Sequence, residues 1–183
     1  MPLKFAFVVG CFVLAGASYF FCKQKRDWAW LTLGLAFTVG ADYFLVINNR
    51  HLPGVAVFCF AHMCYILRAT GATQKKVLIF AAIAVGIFVA FINGWLIALS
   101  GIYAALFITN IVLNFKFQKI NRLLVLTGLI LFALCDINVA LFNLPRHFDI
   151  NFTFPWAFTL VWVFYLPSQV LLAVSAMRRP YGN

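Results

Sequence analysis

Apolar runs begin near residues 3, 28, 52, 77, 94, 123 and 154 and end near 21, 47, 68, 92, 115, 142 and 177. Short basic or polar seams separate them: KQKRD (23–27), NNRH (48–51), ATGATQKK (69–76), the pair Asn93-Gly94, KFQKINR (116–122) and NLPRHFDIN (143–151). A helix that crosses a bilayer needs about 17–25 residues, and only the fourth run falls just short. The pattern predicts an all-α integral membrane protein with seven transmembrane helices. They form a single polytopic domain over residues 1–183.

The charges test that count. With seven crossings, Lys23, Lys25, Arg26, Arg68, Lys75, Lys76, Lys116, Lys119, Arg122, Arg178 and Arg179 share one side, and Lys4, Arg50 and Arg146 the other, which accounts for all 14 basic residues. The positive-inside rule then sets the N-terminus outside and the C-terminus in the cytoplasm. Removing the fourth crossing would destroy the asymmetry, so a hairpin at Asn93-Gly94 is expected. A cleaved signal peptide over the first run would export the Lys23–Arg26 cluster, against the same rule. The net charge of +10 is therefore an orientation signal, and no nucleic-acid partner is expected. At 65% hydrophobic and 10% charged, the chain is too apolar for a soluble domain. Five cysteines, Cys11, Cys22, Cys59, Cys64 and Cys135, form no CxxC pair and read as small core residues.

Only four residues are acidic, and none is glutamate. Asp27 and Asp149 read as members of polar loops. Asp42 and Asp136 interrupt apolar runs, where even mild insertion scales set the cost at about 2.5–3.5 kcal/mol. Their surroundings match. Residues 34–49 read GLAFTVGADYFLVINN and residues 128–143 read GLILFALCDINVALFN: in both, Gly-Leu, six residues, Asp, six residues, Asn. With each run centred in the bilayer, Asp42 and Asp136 fall roughly 6 and 5 Å outward of centre, and His62 roughly 3 Å inward. Tyr165 lies near the centre, with Gln169 a turn deeper.

Helical spacing groups these residues into stripes. Gly34, Thr38 and Asp42 share a face of the second run. Gly54, Phe58, His62 and Tyr65 share one on the third, Gly128, Phe132 and Asp136 on the sixth, and Phe158, Trp162, Tyr165 and Gln169 on the seventh. Small residues beside polar ones suit close helix approach inside a bundle. Phe58-x-x-Ala61-His62 also matches Tyr165-x-x-Ser168-Gln169. Runs 1–3 and 5–7 thus read as two copies of one unit, joined by the fourth, in a parallel 3+1+3 repeat.

At these residues the chain resembles the YhhN-type lysoplasmalogenase-like membrane family. LAFTVGADYFL (35–45) is similar to the family's Ser-x-x-Gly-Asp segment and GVAVFCFAHMCYI (54–66) to its Phe-x-x-Ala-His-x-x-Tyr segment. GLILFALCDINVA (128–140) is similar to Phe-x-x-Ser-Asp, and FYLPSQVLL (164–172) to Tyr-x-x-x-Gln. The four follow in the family's order. Thr38, Ala41 and Cys135 depart from it, standing where Ser, Gly and Ser are usual, and the family's customary eighth span is missing.

The resemblance implies hydrolysis of the vinyl-ether bond of a lysoplasmalogen to a fatty aldehyde and a glycerophospho-alcohol, with a lysophospholipid-type substrate drawn from the membrane lipids. Such a bond breaks when its β-carbon is protonated and water attacks the resulting oxocarbenium-like cation. The chemistry needs one carboxylic acid holding its proton and one nearby carboxylate. Asp42 and Asp136 are the expected catalytic pair, with His62, Tyr65, Tyr165 and Gln169 orienting water or substrate. No cofactor is expected and no HxxxH or HExxH pattern is present, although His62 with both aspartates would supply three N/O metal ligands. The alternatives are a small proton-coupled transporter, since a parallel 3+1+3 plan also serves sugar carriers, and a non-catalytic lipid-binding protein.

Overall fold

The computed structural model describes residues 2–22, 24–70, 95–117, 121–147 and 154–177. They form α1 (Pro2–Ala17, continued by a 3-10 turn at Ser18–Phe20), α2 (Lys25–Asp42), α3 (His51–Thr70), α4 (Trp95–Phe117), α5 (Arg122–His147) and α6 (Ala157–Val174). These coincide with six of the seven apolar runs, and spans of 18–23 residues on them are apolar enough to cross a bilayer. The fourth run (77–92), the Asn93-Gly94 hairpin and Asp149 lie outside the described residues. Helices follow from the composition, because in hydrocarbon every backbone N–H must find its acceptor within its own segment. The outer surface agrees: Leu3 is 84% exposed, Phe20 83% and Leu123 69%. A water-soluble fold does not carry apolar surface on this scale, so the chain reads as a multi-pass membrane protein. Trp95 and Trp156 are also outward-facing, as interfacial anchors are.

Each described helix packs on the one before it and the one after it, and α6 closes against α1, so the six form a ring in chain order; α2 and α6 also meet across it. Two asparagines with positive φ shape the turns, Asn49 (φ 52°) before α3 and Asn121 (φ 46°) before α5. Asparagine tolerates this left-handed region better than most side chains. Asn121 also donates through its amide to the carbonyls of Ser175 and Met177, tying the start of α5 to the end of α6. Asn49 and Asn143 occupy equal places in the sequence pattern but not in the fold. Asn143 is helical and its amide bonds back to the Val139 carbonyl. After Asp42, by contrast, α2 loosens into a π turn over Tyr43–Ile47.

The buried faces correspond position by position. Leu31, Gly34, Leu35, Thr38 and Ala41 are buried on α2, and Val125, Gly128, Leu129, Phe132 and Cys135, at the same spacing, on α5. On α3 the buried set Phe58, Ala61, His62, Tyr65, Ile66 and Arg68 answers to Tyr165, Ser168, Gln169, Leu172 and Ala173 on α6 and Ser175 just after it. The close approaches correspond too. A Cβ on Gly34 would run into the Tyr65 ring, and one on Gly128 would stand 3.1 Å from Leu172 Cγ. Overpacking of this kind costs about 1–3 kcal/mol. Gly34→Ala is therefore expected to lower the thermal midpoint in detergent more than Gly128→Ala, because a rigid ring yields less than a leucine tip.

One sequence expectation is overturned. Asp27 is not a loop residue. It sits in the first turn of α2, is 7% exposed, and takes both arms of Arg68 from α3: Nε to Oδ1 at 2.8 Å and Nη2 to Oδ2 at 2.9 Å. The remaining Arg68 nitrogen, Nη1, donates to Ser175 Oγ beyond α6 at 2.7 Å. The helix starts earlier than the basic cluster suggests, and a guanidinium distant in sequence makes burial of the carboxylate tolerable.

Candidate active site

The far end of the same helices carries the expected carboxylates. Asp42, at the α-to-π transition of α2, is 4% exposed, and its Oδ2 accepts a hydrogen bond from the Tyr165 hydroxyl of α6 at 2.6 Å. π turns often occur at functional sites. Asp136, mid-way along α5, is half-buried, and its Oδ2 accepts from the Tyr103 hydroxyl of α4 at 2.5 Å. Both distances suit a hydroxyl donating to a carboxyl oxygen. Among the described residues no hydrogen bond joins the two carboxylates; each is held by its own tyrosine.

Aromatic rings fill the space between. Phe132, one turn before Asp136, packs against Tyr165 with ring centres 5.5 Å apart. His62 stacks on Phe107 at 4.4 Å and meets Tyr103 at 5.0 Å and Phe132 at 5.6 Å. It is fully buried. Asn114 Nδ2 donates to Asn110 Oδ1 at 2.6 Å, which leaves the Asn110 amide free to donate to His62 Nδ1 at 3.1 Å. With Nδ1 an acceptor, the neutral ring carries its proton on Nε2. That Nε2 is buried with no partner among the described residues, so the imidazole offers one fixed donor.

The other expected residues have different partners. Tyr65 is buried against Gly34, with its hydroxyl 3.4 Å from Thr38 Oγ1. Thr38 gives its own proton to the Gly34 carbonyl, so Tyr65 donates. Gln169 is fully buried; its Nε2 lies 3.4 Å from Ser168 Oγ and its Oε1 has no partner among the described residues. The structure thus joins Asp42 to Tyr165, while among the described residues no hydrogen bond links His62, Tyr65 or Gln169 to a carboxylate. The notional metal trio is not assembled: no three His, Cys, Asp or Glu side chains converge among the described residues, and His62 Nδ1 is already engaged by Asn110.

Three polar residues escaped the sequence reading, Tyr103, Asn110 and Asn114, all on α4. With Phe107 they recur at i, i+4, i+7 and i+11 and so mark one helix face. That spacing was available in the sequence. A buried carboxylate with a tyrosine donor, next to a second such pair and to a histidine with one free donor, can transfer a proton to a bound group and stabilise a cation formed there.

The family model described as the YhhN family matches residues 3–176. Comparison with curated proteins and with solved structures finds no match.

Proposed function

The chain belongs to the YhhN family, and from that membership we propose that it is a membrane-embedded hydrolase that cleaves the vinyl-ether bond of lysoplasmalogens. The observation that carries the reading is the pair of tyrosine-held carboxylates, Asp42 with Tyr165 and Asp136 with Tyr103, inside an apolar bundle. A vinyl ether needs a proton on its β-carbon. One aspartic acid delivers it, the C=C π electrons form the new C–H bond, and positive charge develops on the carbon bearing oxygen. The other aspartate stabilises that cation and takes a proton from the attacking water. The hemiacetal then collapses: the now ionised first aspartate takes its hydroxyl proton as the C=O bond forms, the C–O bond to glycerol breaks, and the second aspartate returns its proton to the departing glycerol oxygen, which releases a fatty aldehyde and the glycerophospho-alcohol and restores both carboxyl groups. Aromatic walls exclude bulk water, which strengthens each of these interactions. The His62 Nε2–H orients the water or a glycerol hydroxyl, as do Tyr65 and Gln169.

The proposal includes the architecture. The bundle is read as two three-helix units in a 3+1+3 arrangement, with seven spans and the N-terminus outside. Support comes from the corresponding buried faces of α2 with α5 and of α3 with α6, and from the distribution of basic residues.

The test is to incubate purified protein with a lysoplasmalogen and, separately, with the matching 1-acyl lysophospholipid. Free aldehyde from the first only is expected. Transport of a solute into proteoliposomes without product chemistry, or a lipid recovered intact, would defeat the reading. The tyrosines provide a further prediction. Tyr165→Phe and Tyr103→Phe each remove a hydrogen bond to a carboxyl group inside the bundle, and leaving it unmade costs about 1–3 kcal/mol. Each is expected to lower kcat about 10–100-fold while KM changes little; an unchanged kcat would relieve that tyrosine of its role.

A further inference from the structure

Lys4 lies near the start of α1, partly buried, at the end of the bundle that holds the carboxylates. Its ammonium stands 4.2 Å from the ring centre of Trp162 and 5.0 Å from that of Phe158, both on α6. Among the described residues the one ion pair is Arg68 with Asp27, so Lys4 has no carboxylate there. The same indole holds a second donor in need of an acceptor: Trp162 Nε1 is buried and unpartnered among the described residues. The Trp162 ring in turn packs edge-on against Tyr165, centre to centre 5.8 Å, and Tyr165 donates to Asp42.

These facts place a partly buried ammonium without an ion pair, and a buried N–H without an acceptor, both among the described residues, beside one reaction centre. Aromatic faces attract the ammonium and hold it in place, and what completes such a site is an anion with several oxygens. Lysine serves phosphate in this way as a point charge. The spacing fits a glycerolipid. Trp162 precedes Tyr165 by three residues and Phe158 precedes it by seven, so the ammonium lies about 4.5–10.5 Å along the helix axis from Tyr165. In a 1-alkenyl glycerophospholipid the phosphorus and the ether oxygen are separated by five bonds, or about 6 Å when extended.

We propose that Lys4, together with the Trp162 N–H, forms the subsite for the phosphate of the lipid substrate and sets the vinyl ether against the Asp42–Tyr165 pair. This rests on the reaction proposed above and adds its specificity determinant. The headgroup lies at the Lys4 end and the hydrocarbon chain runs toward the Arg68 end. Phosphorylated alkenyl glycerols are therefore preferred over unphosphorylated ones.

The experiment compares wild type, Lys4→Gln, Lys4→Arg and Trp162→Phe on a 1-alkenyl glycerophosphoethanolamine and on the corresponding 1-alkenylglycerol. Lys4→Gln is expected to raise KM for the phospholipid about tenfold with kcat little changed and the alkenylglycerol unaffected. Lys4→Arg should restore most of the loss, and Trp162→Phe should show a smaller rise for the phospholipid alone. Equal loss on both substrates, or no change on either, overturns the subsite. A second arm measures binding of a non-cleavable 1-O-alkyl lysophosphatidylcholine and of 1-O-alkylglycerol in detergent micelles. About tenfold weaker binding of the first only is expected for Lys4→Gln, and equal binding by wild type and variant refutes the proposal. This arm does not depend on bond cleavage, so absence of aldehyde would count against the reaction and not against the phosphate site.

Discussion

Asp42→Asn and Asp136→Asn are each expected to lower aldehyde release by about 10²–10⁴-fold, with the protein still folded. The argument turns on isosteric replacement. An asparagine carbonyl still accepts the Tyr165 or Tyr103 hydroxyl, so packing and the hydrogen bond of each pair persist. What disappears is the carboxyl proton at one site and the carboxylate charge at the other. An amide can neither protonate carbon nor offset an oxocarbenium-like cation. The two variants should therefore both fail, through different steps, and the double variant should lose little beyond either single one, because residues that act as a unit are not additive. Aldehyde release with a parallel thermal melt is the check. Activity retained in one variant would remove that aspartate from the reaction.

Arg68→Ala should produce the largest loss of stability. The guanidinium makes a two-pronged contact with Asp27 and a third bond to Ser175, so one buried side chain links α2, α3 and the residue following α6. Removing it takes two charge-assisted hydrogen bonds from a buried carboxylate. Breaking such a pair from one side typically costs about 3–5 kcal/mol. Asp27→Leu combined with Arg68→Met should be milder, since an apolar pair removes the buried carboxylate along with the bond. Thermal or denaturant unfolding in detergent reads both. Equal behaviour of the single and double variants would mean that Arg68 contributes by packing alone.

The sequence made the carboxylates easy to find, because a charge in an apolar run is anomalous on cost alone. It also brought Tyr165 into the right layer, since stripes follow from the helical repeat. The helices themselves were legible for the same reason that hydropathy works in membranes: backbone in lipid has few alternatives. Asp27 reads as a seam residue because its neighbours are Lys25 and Arg26, and its bond to Arg68, 41 positions away, is invisible in local sequence. Tyr103, Asn110 and Asn114 were passed over in a run that reads as uniformly apolar, though their spacing marks a face. The π turn after Asp42 has no counterpart after Asp136, and the matched sequence pattern gave no sign of that difference. Departures from the family pattern at Ala41 and Cys135 are absorbed by packing, both being buried beside their aspartates at 0% and 3% exposure.

The central claim is that a carboxylic acid of this bundle protonates a vinyl-ether carbon. Hydrolysis in deuterium oxide tests it directly. The aldehyde released from a lysoplasmalogen by wild-type protein should carry one deuterium on the carbon next to the carbonyl, as mass spectrometry reads it, and the label should vanish with the product in Asp42→Asn and Asp136→Asn. Unlabelled aldehyde, or no aldehyde from the folded wild-type protein, would contradict the account.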